Sequence, residues 1–381
     1  MSLTIAIVGG KLQGCEAAYL AGKAGFRTLV VDQNPDAPAS GLCDVLVPFR
    51  FTDRSDFPVL PETPDLILPA VEDDQVLACV DAWARRENIP LAFDMDAYET
   101  SVSKLASDRL FRELGLPVPA YWPDCGLPVV VKPDRASGSE GVEIFHDQQA
   151  FARRFPDKKD LAGRVAQAYL EGPSFSIEVM GAPGQYQTYL VTDLGMDEAY
   201  DCNRVTAPTA LADRHIRAME EMAVNIAEAV SLKGIMDLEV ILNGDELYIL
   251  EVDARLPSQT PMAVYHATGL NMVAALAANA LGQEVLPMPG QQRHTRVEHI
   301  RVDGPDIAFL GEHIMSTQGS LHLEPGFFGA DEAVTSYSPG KRQWVATLIF
   351  TGATAGETGK KRDLCLDNIL NNARKPGKNT Q

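Results

Sequence analysis

The stretch from Asp237 to Arg255 places four carboxylates, Asp237, Glu239, Glu251 and Asp253, inside two strongly apolar runs. The runs alternate with period two and flank an Asn243-Gly244 turn signal, so they read as a β-hairpin. Alternation puts Asp237, Glu239 and Ile241 on one face of the first strand, and Ile249, Glu251 and Asp253 on one face of the second. A three-residue connection over Gly244–Glu246 sets Glu239 opposite Glu251. Like charges so placed destabilise a sheet, so a cation is expected between them. Hard carboxylate oxygens select Mg2+. Arg255 follows the last carboxylate by two residues, within reach of a phosphate bridged by that metal. A solvated acidic face is the alternative, and the apolar setting of these acids argues against it.

Two other segments carry charge chemistry. Lys132 ends the β-branched run Val129–Lys132 and is followed by the small-residue loop Ala136-Ser137-Gly138-Ser139-Glu140-Gly141. Such a loop can fold amides over a polyphosphate while the ammonium contacts it. Lys104, on a helix opened by Ser101 and Ser103, is a second cation. Near the start, Gly9-Gly10-Lys11-Leu12-Gln13-Gly14 stands where a dinucleotide fingerprint would stand. Lys11 occupies the position where that fingerprint needs glycine, which disfavours a nicotinamide cofactor. Nor is it a P-loop, because Cys15-Glu16 follows Gly14. A loop holding a substrate carboxylate and a structural turn both fit.

These residues need elements to hold them. Thr4–Val8, an Ala-rich helix over Gln13–Gly25 and Thr28–Val31 form a strand–helix–strand unit of the parallel α/β type. Val45–Pro48, Leu66–Pro69, a helix over Asp74–Glu87 and a strand at Pro90–Phe93 extend it into a doubly wound domain. An α+β module follows: the Lys104 helix closed by Gly115–Pro119, Val129–Pro133, Val142–Phe145, a helix over Gln148–Phe155, Val165–Ala168 and Phe175–Met180. Farther on, helices are expected at Arg214–Val230 and Asn271–Leu281, and short β segments between Glu298 and Phe350. The stretch from Lys360 reads as a packed amphipathic helix with a frayed basic end.

Composition narrows the function. At 381 residues the chain is long enough for two or three domains. Hydrophobic residues make up 45% and charged residues 22%, an ordinary globular balance. The net charge of −19 repels phosphate backbones and anionic lipid, so neither nucleic acid nor membrane is an expected partner. It favours cationic small molecules. Six cysteines without a CxxC fit reduced thiols in the cytoplasm, and no histidine cluster suits zinc. The start lacks the basic segment of a signal peptide.

Taken in order, Lys132, the small-residue loop, Gln167-Ala168-Tyr169-Leu170-Glu171-Gly172 and the Glu…Glu-Val-Asp-Ala-Arg hairpin resemble the ATP-grasp ligases. The order spans residues 1 to about 290, and the hairpin with Arg255-Leu256-Pro257 is its most specific part. Gly9–Gly14 with Glu16-Ala17-Ala18-Tyr19-Leu20, and Gly234–Asp237 leading to Asp253–Pro261, resemble more narrowly the pyrrolysine-biosynthesis branch. Members of that branch join 3-methyl-D-ornithine to the ε-amine of L-lysine.

The resemblance implies an ATP-grasp fold behind an N-terminal Rossmann-like domain. Its segments would be 1–98 for the substrate domain, 99–186 for the small lobe and 187–381 for the large lobe. It implies ATP contacts from Lys104, Lys132, Ser137, Gly138, Ser139 and Gly141, and from the adenine hinge Gln167, Ala168, Tyr169 and Leu170. Glu239, Glu251 and Asp253 would hold Mg2+, two ions being expected, and Lys132 and Arg255 would stabilise charge in catalysis. Asp253 stands where many members carry Asn, and Ser174 where many carry a ribose-binding Glu. Lys11, Leu12, Glu72, Glu178, Asp237, Ser258, Gln259 and Thr260 are the expected contacts to amino-acid substrates. Another ATP-grasp amino-acid or dipeptide ligase is the alternative reading. A binding protein with a relic site is a third, opposed by the intact Lys132, Glu239, Glu251 and Arg255.

Overall fold

The computed structural model describes residues 3–53, 56–136, 138, 140–283, 287–290 and 292–373. The chain forms two compact units. One comprises Met1–Phe93, Gly195–Thr209 and Leu256–Gln381, the other Asp94–Leu194 and Ala210–Arg255.

In the first unit, four parallel strands lie in the order Val45–Pro48, Arg27–Asp32, Thr4–Val8, Leu66–Pro69. The three strands other than the half-buried edge strand Val45–Pro48 are short apolar runs buried on both faces, as the interior of a parallel sheet requires. Helices Leu12–Lys23 and Asp74–Glu87 accompany it, and Ala6, Val8, Val31, Ile67, Val80 and Trp83 pack together on one side. Pro90–Phe93, expected as a strand, forms only a single bridge between Leu91 and Ile67. The Ile67 N–H donates to the Pro90 carbonyl at 2.9 Å and the Ala92 N–H to the Ile67 carbonyl at 2.8 Å, so the run touches the sheet at one residue. Antiparallel strands Cys202–Ala207, His294–Asp303, Gln343–Gly352, Glu332–Thr335 and His322–Pro325 complete the unit. Helix Ala355–Ala373 covers them through Cys365 and Ile369.

The glycine loop after the first strand is built for close approach. Gly9 has φ +106°, and a Cβ there would meet the Ala70 carbonyl oxygen at 2.4 Å. A Cβ on Gly14 would meet the Gly9 carbonyl oxygen at 2.1 Å. The Gly10 N–H donates to the Asp32 carboxylate at 2.7 Å, so at Gly10 the loop's anion comes from its own chain. That favours the structural-turn reading of this glycine.

The second unit holds two sheets. Strands Glu143–Phe145, Val129–Pro133 and Arg164–Ala168 form a small antiparallel sheet over an aromatic cluster of Phe145, Phe151 and Phe155. The larger sheet runs Glu246–Asp253, Gly234–Asn243, Ser174–Ala182 and the first residues of Thr192–Met196. Its apolar face packs on helices Lys104–Glu113 and Asp213–Ala229 through Phe111, Met219, Ala223 and Ile226.

Among the described residues, helices Met95–Ser101 and Thr260–Thr268 and the single turn His313–Ser316 differ from the sequence expectation. Met95–Ser101 is capped by Asp94, so Ser101 ends that helix and Ser103 alone caps the next. Thr260–Thr268 starts with Pro261 in its first turn, a start signal hidden beneath a reading of polar donors.

Candidate functional site

The hairpin reaches the expected pairing by a different route. Asn243 pairs with Glu246, so the turn is two residues, Gly244-Asp245. That register alone would set Glu239 against Leu250. A β-bulge between Glu239 and Val240 adds the missing residue, and Glu239 faces Glu251. The bulge also moves Ile249 away from the acids: it pairs with Val240 and packs in the core with Leu238 and Val252. The expectation that Ile249 shares a face with Glu251 is therefore corrected.

Strand Ser174–Ala182 lies on the other side of Gly234–Asn243 and extends each pair into a row. Asp237 stands between Glu178 and Asp253, and Glu239 between Ser176 and Glu251. Glu178 and Ser176 are fully buried, and Asp237 is 5% exposed. Burial, then the nearby Asp253, pushes the Asp237 carboxyl well above the usual carboxylate range, with Arg255 opposing. Burial and Glu251 raise Glu239 likewise. The Asp237 Oδ1 has no hydrogen-bond partner among the described residues. An orphaned buried oxygen among crowded carboxylates is the environment that a hard divalent cation or an ammonium group relieves.

Cations already answer part of this charge. Lys104 Nζ lies 3.0 Å from Glu251 Oε2 and donates to the Ala136 carbonyl at 2.8 Å. Burial works against its charge, but Glu251 outweighs this and holds Lys104 above its ordinary value. Burial would raise Glu251, but Lys104 and Lys132 hold it below the usual range. Lys132 itself is lowered, by burial foremost and also by Lys104, with Glu251 opposing. Two lysines thus converge on one carboxylate, a locus prepared for further negative charge. Arg255 Nη2 donates to Asp253 Oδ2 at 2.8 Å.

Asp134, which sequence reasoning missed, ties the two lysines together. It follows Lys132 and Pro133, and its Oδ1 accepts from Ser103 Oγ and the Leu105 N–H, each at 2.9 Å. Its carbonyl accepts from the Lys104 N–H at 3.1 Å. The helix carrying Lys104 is therefore anchored to the end of the strand carrying Lys132. Asp108 on that helix was missed too; it accepts from Tyr121 Oη at 2.5 Å.

The segment expected as the adenine hinge is mostly tied into the small sheet. Gln167 is buried in strand Arg164–Ala168, the Ala168 N–H donates to Ala120, and the Tyr169 N–H to Pro128. The Leu170 N–H has no acceptor among the described residues. Gly138 and Gly141 are exposed, whereas Ser137 and Ser139 lie outside the described residues.

The remaining expected contacts belong to the first unit. Leu12, Ser258 and Gln259 line one small cavity of about 30 Å³. Lys11, Glu72 and Thr260 do not line it: Lys11 is exposed at the start of its helix, and Glu72 accepts from Gln13 Nε2 at 2.7 Å. Elsewhere in this unit Asp197, Asp201 and His313 each bring a ligand atom within 4.8 Å of the others. Asp197 is already satisfied by the N–H groups of Ala199, Asp201 and Gly311, at 2.8, 3.1 and 2.8 Å, so the trio reads as loop structure.

Residues 102–259 match the ATP-grasp domain family. The chain is 34% identical to the 3-methyl-D-ornithine–L-lysine ligase of Methanosarcina mazei, over 85% of each chain. It is 32% identical to the ligase of the same name from Methanosarcina acetivorans, over 94% of this chain and 95% of the other. A solved biotin carboxylase–beta-gamma-ATP complex from Campylobacter jejuni shares the fold, with a TM-score of 0.73 at 13% identity, covering 98% of this chain and 96% of that one.

Proposed function

The chain belongs to the ATP-grasp family, among the 3-methyl-D-ornithine–L-lysine ligases, and on that premise we propose that it joins 3-methyl-D-ornithine to the ε-amine of L-lysine in pyrrolysine biosynthesis. The methylornithine carboxylate attacks the γ-phosphate of ATP, giving an acylphosphate and ADP. The lysine ε-amine then attacks the acyl carbon, phosphate leaves, and a proton is lost from the new amide nitrogen.

Both steps gather negative charge on oxygen, so the protein's work is positioning and cation placement. Lys104 and Lys132 hold the phosphates, and Arg255 steadies the oxygens of the group in transfer. The hinge at Gln167–Leu170 takes adenine, with the Leu170 N–H as donor, and the loop through Ser137, Gly138, Ser139 and Gly141 covers the phosphates. Glu239, Glu251 and Asp253 fit Mg2+, two ions being our reading; when bound, the metal neutralises phosphate charge. We take segment 99–186 as the lobe that carries the covering loop, beside segments 1–98 and 187–381. Lys11, Leu12, Glu72, Ser258, Gln259 and Thr260 serve the amino-acid substrates. Among the described residues no helix is long and apolar enough to cross a membrane; the cytoplasm is our reading of where it acts.

One observation carries the substrate side of this reading. Glu178 and Asp237 stand paired and buried at the end of the row that leads to the metal acids. Such a pair suits the ammonium groups of a diamino acid whose carboxylate is being activated. The test is ADP release with ATP, Mg2+ and L-lysine over a panel of D- and L-diamino acids and their monoamino counterparts. We expect 3-methyl-D-ornithine to lead and monoamino acids to fail. Equal rates with D-alanine would refute the substrate assignment.

A further inference from the structure

Helix Lys104–Glu113 serves two sheets of the second unit. On one side Phe111, with Leu110 beside it, packs into the core under the large sheet, whose strands carry Glu239, Glu251 and Asp253. On another, Asp108 and Arg112 stand one and two turns beyond Lys104 and reach Tyr121. The segment Ala120-Tyr121-Trp122 runs along the open edge of the small sheet. Tyr121 bridges Gln167, the Trp122 N–H donates to the Ala166 carbonyl at 3.0 Å, and the Ala168 N–H donates to the Ala120 carbonyl at 2.8 Å. Tyr121 is thereby fastened beside strand Arg164–Ala168, where the segment expected to take adenine begins.

The helix grips Tyr121 with two side chains. The Tyr121 hydroxyl donates to Asp108 Oδ2 at 2.5 Å, and the Arg112 guanidinium lies 4.1 Å from the centre of the ring. Asp108 is 4% exposed. Burial raises its carboxyl, and Tyr121, Arg112, Lys132 and Lys104 oppose that rise. Burial and then Asp108 push the Tyr121 hydroxyl far above its ordinary value, so it keeps its proton and donates. A buried carboxyl is costly to leave without its donor, so helix and segment hold one mutual position.

What the grip joins gives it a role. Asp134 ties the first turn of the helix to the end of the strand carrying Lys132. Asp108, one turn on, ties the same helix to the other edge of the same small sheet, beside Gln167. The helix that carries Lys104 is thus set against both the lysine strand and the hinge strand, while its apolar side rests on the large sheet.

We propose that Asp108 and Tyr121, steadied by Arg112, form a clamp that sets the spacing between Lys104 and the segment Gln167–Leu170, so that one nucleotide meets the ammonium with its phosphates and the hinge with its base. The clamp residues are positioning residues. The inference rests on the reading of Lys104 as a phosphate contact and of Gln167–Leu170 as the adenine hinge. A ligand that reaches one end gains nothing from the spacing, whereas a ligand that spans both gains the advantage of two linked contacts.

The experiment compares a ligand that spans both ends with ligands that reach one. A non-hydrolysable ATP analogue is titrated by calorimetry at fixed free Mg2+, with adenosine and inorganic tripolyphosphate measured as its competitors. Tyr121→Phe keeps the ring for Arg112 and removes the donor. It should weaken the analogue by about 5-fold or more and leave adenosine and tripolyphosphate within about 2-fold of the wild type. KM for ATP should rise in step, while KM for L-lysine and for 3-methyl-D-ornithine stays constant. Asp108→Asn, which keeps an acceptor for Tyr121, should retain most of the affinity that Asp108→Ala loses. An unchanged affinity for the analogue in Tyr121→Phe would overturn the clamp. So would equal weakening of all three ligands, or a loss that adenosine alone or tripolyphosphate alone shares in full, since the pair would then serve the fold or one end of the site. A wild type that fails to bind the analogue, or releases it to neither competitor, would instead refute the ATP reading of Lys104 and the hinge.

Discussion

Glu251→Gln separates the fold from the chemistry at the acidic rows. In the metal-free protein the change removes the charge that Lys104 Nζ meets at 3.0 Å, with the two side chains 15% and 31% exposed. A charge-assisted hydrogen bond is worth about 1.5–3 kcal/mol, and partial exposure favours the lower end. The glutamine keeps the shape and one acceptor. It also relieves repulsion with Glu239 directly across the strand pair, a gain of about 0.2–1 kcal/mol. The net loss is therefore about 1–2 kcal/mol, too little to unfold a chain of this size and visible as a Tm lower by a few degrees. Activity should respond on another scale. Glu251 faces Lys104 and Lys132 and is one of three acids placed to hold Mg2+, so ADP formation should fall by about 100-fold or more. Rising Mg2+ should recover part of it. The assay is coupled ADP release at saturating substrates across a magnesium titration, with far-UV circular dichroism to show that the fold persists. Wild-type turnover at low-millimolar Mg2+, with an unshifted magnesium dependence, would show that this carboxylate has no part in holding metal.

Other outcomes follow from the same geometry. Asp237→Asn should raise KM for 3-methyl-D-ornithine by about 10-fold and leave lysine saturation nearly unchanged, measured with each substrate varied in turn. Because Asp237 and Glu239 are raised in the folded state, that state binds more protons than the unfolded chain above the ordinary carboxylate range. Stability of the metal-free protein should therefore fall as pH rises from about 5 to 8, and Mg2+ should flatten that slope; a thermal-melt series with EDTA or Mg2+ checks the sign. Asp134→Ala should remove the shared anchor of the Lys104 helix, lower stability by about 1–2 kcal/mol in denaturant melts and raise KM for ATP. Trypsin should cut after the exposed Arg135, and a non-hydrolysable ATP analogue should slow that cut if the following loop closes over nucleotide; equal rates would make the loop a structural one.

Local signals in this chain carry local structure and much of the chemistry. Strands Val45–Pro48 and Leu66–Pro69 and helix Asp74–Glu87 are legible because short apolar runs, periodicity and an Asp73 cap act within a few residues. Four acids breaking two apolar strands mark a candidate cation site with no structure at hand. The alternation of the second strand was misread at Ile249, because a bulge at Leu250 leaves no mark on composition: it arises where packing of Val240, Ile249 and Val252 on one face must coexist with acids on the other. That Glu178 joins Asp237, and Ser176 joins Glu239, depends on which distant strand lies alongside. Asp134 as anchor of the Lys104 helix and Glu312 as acceptor for Ser258 depend on hydrogen bonds spanning tens of residues. Periodicity is a property of one segment, so a sequence displays it. Register, and the satisfaction of each buried donor and acceptor, is a property of two segments at once, decided when the apolar faces close and every polar group left inside must find its partner.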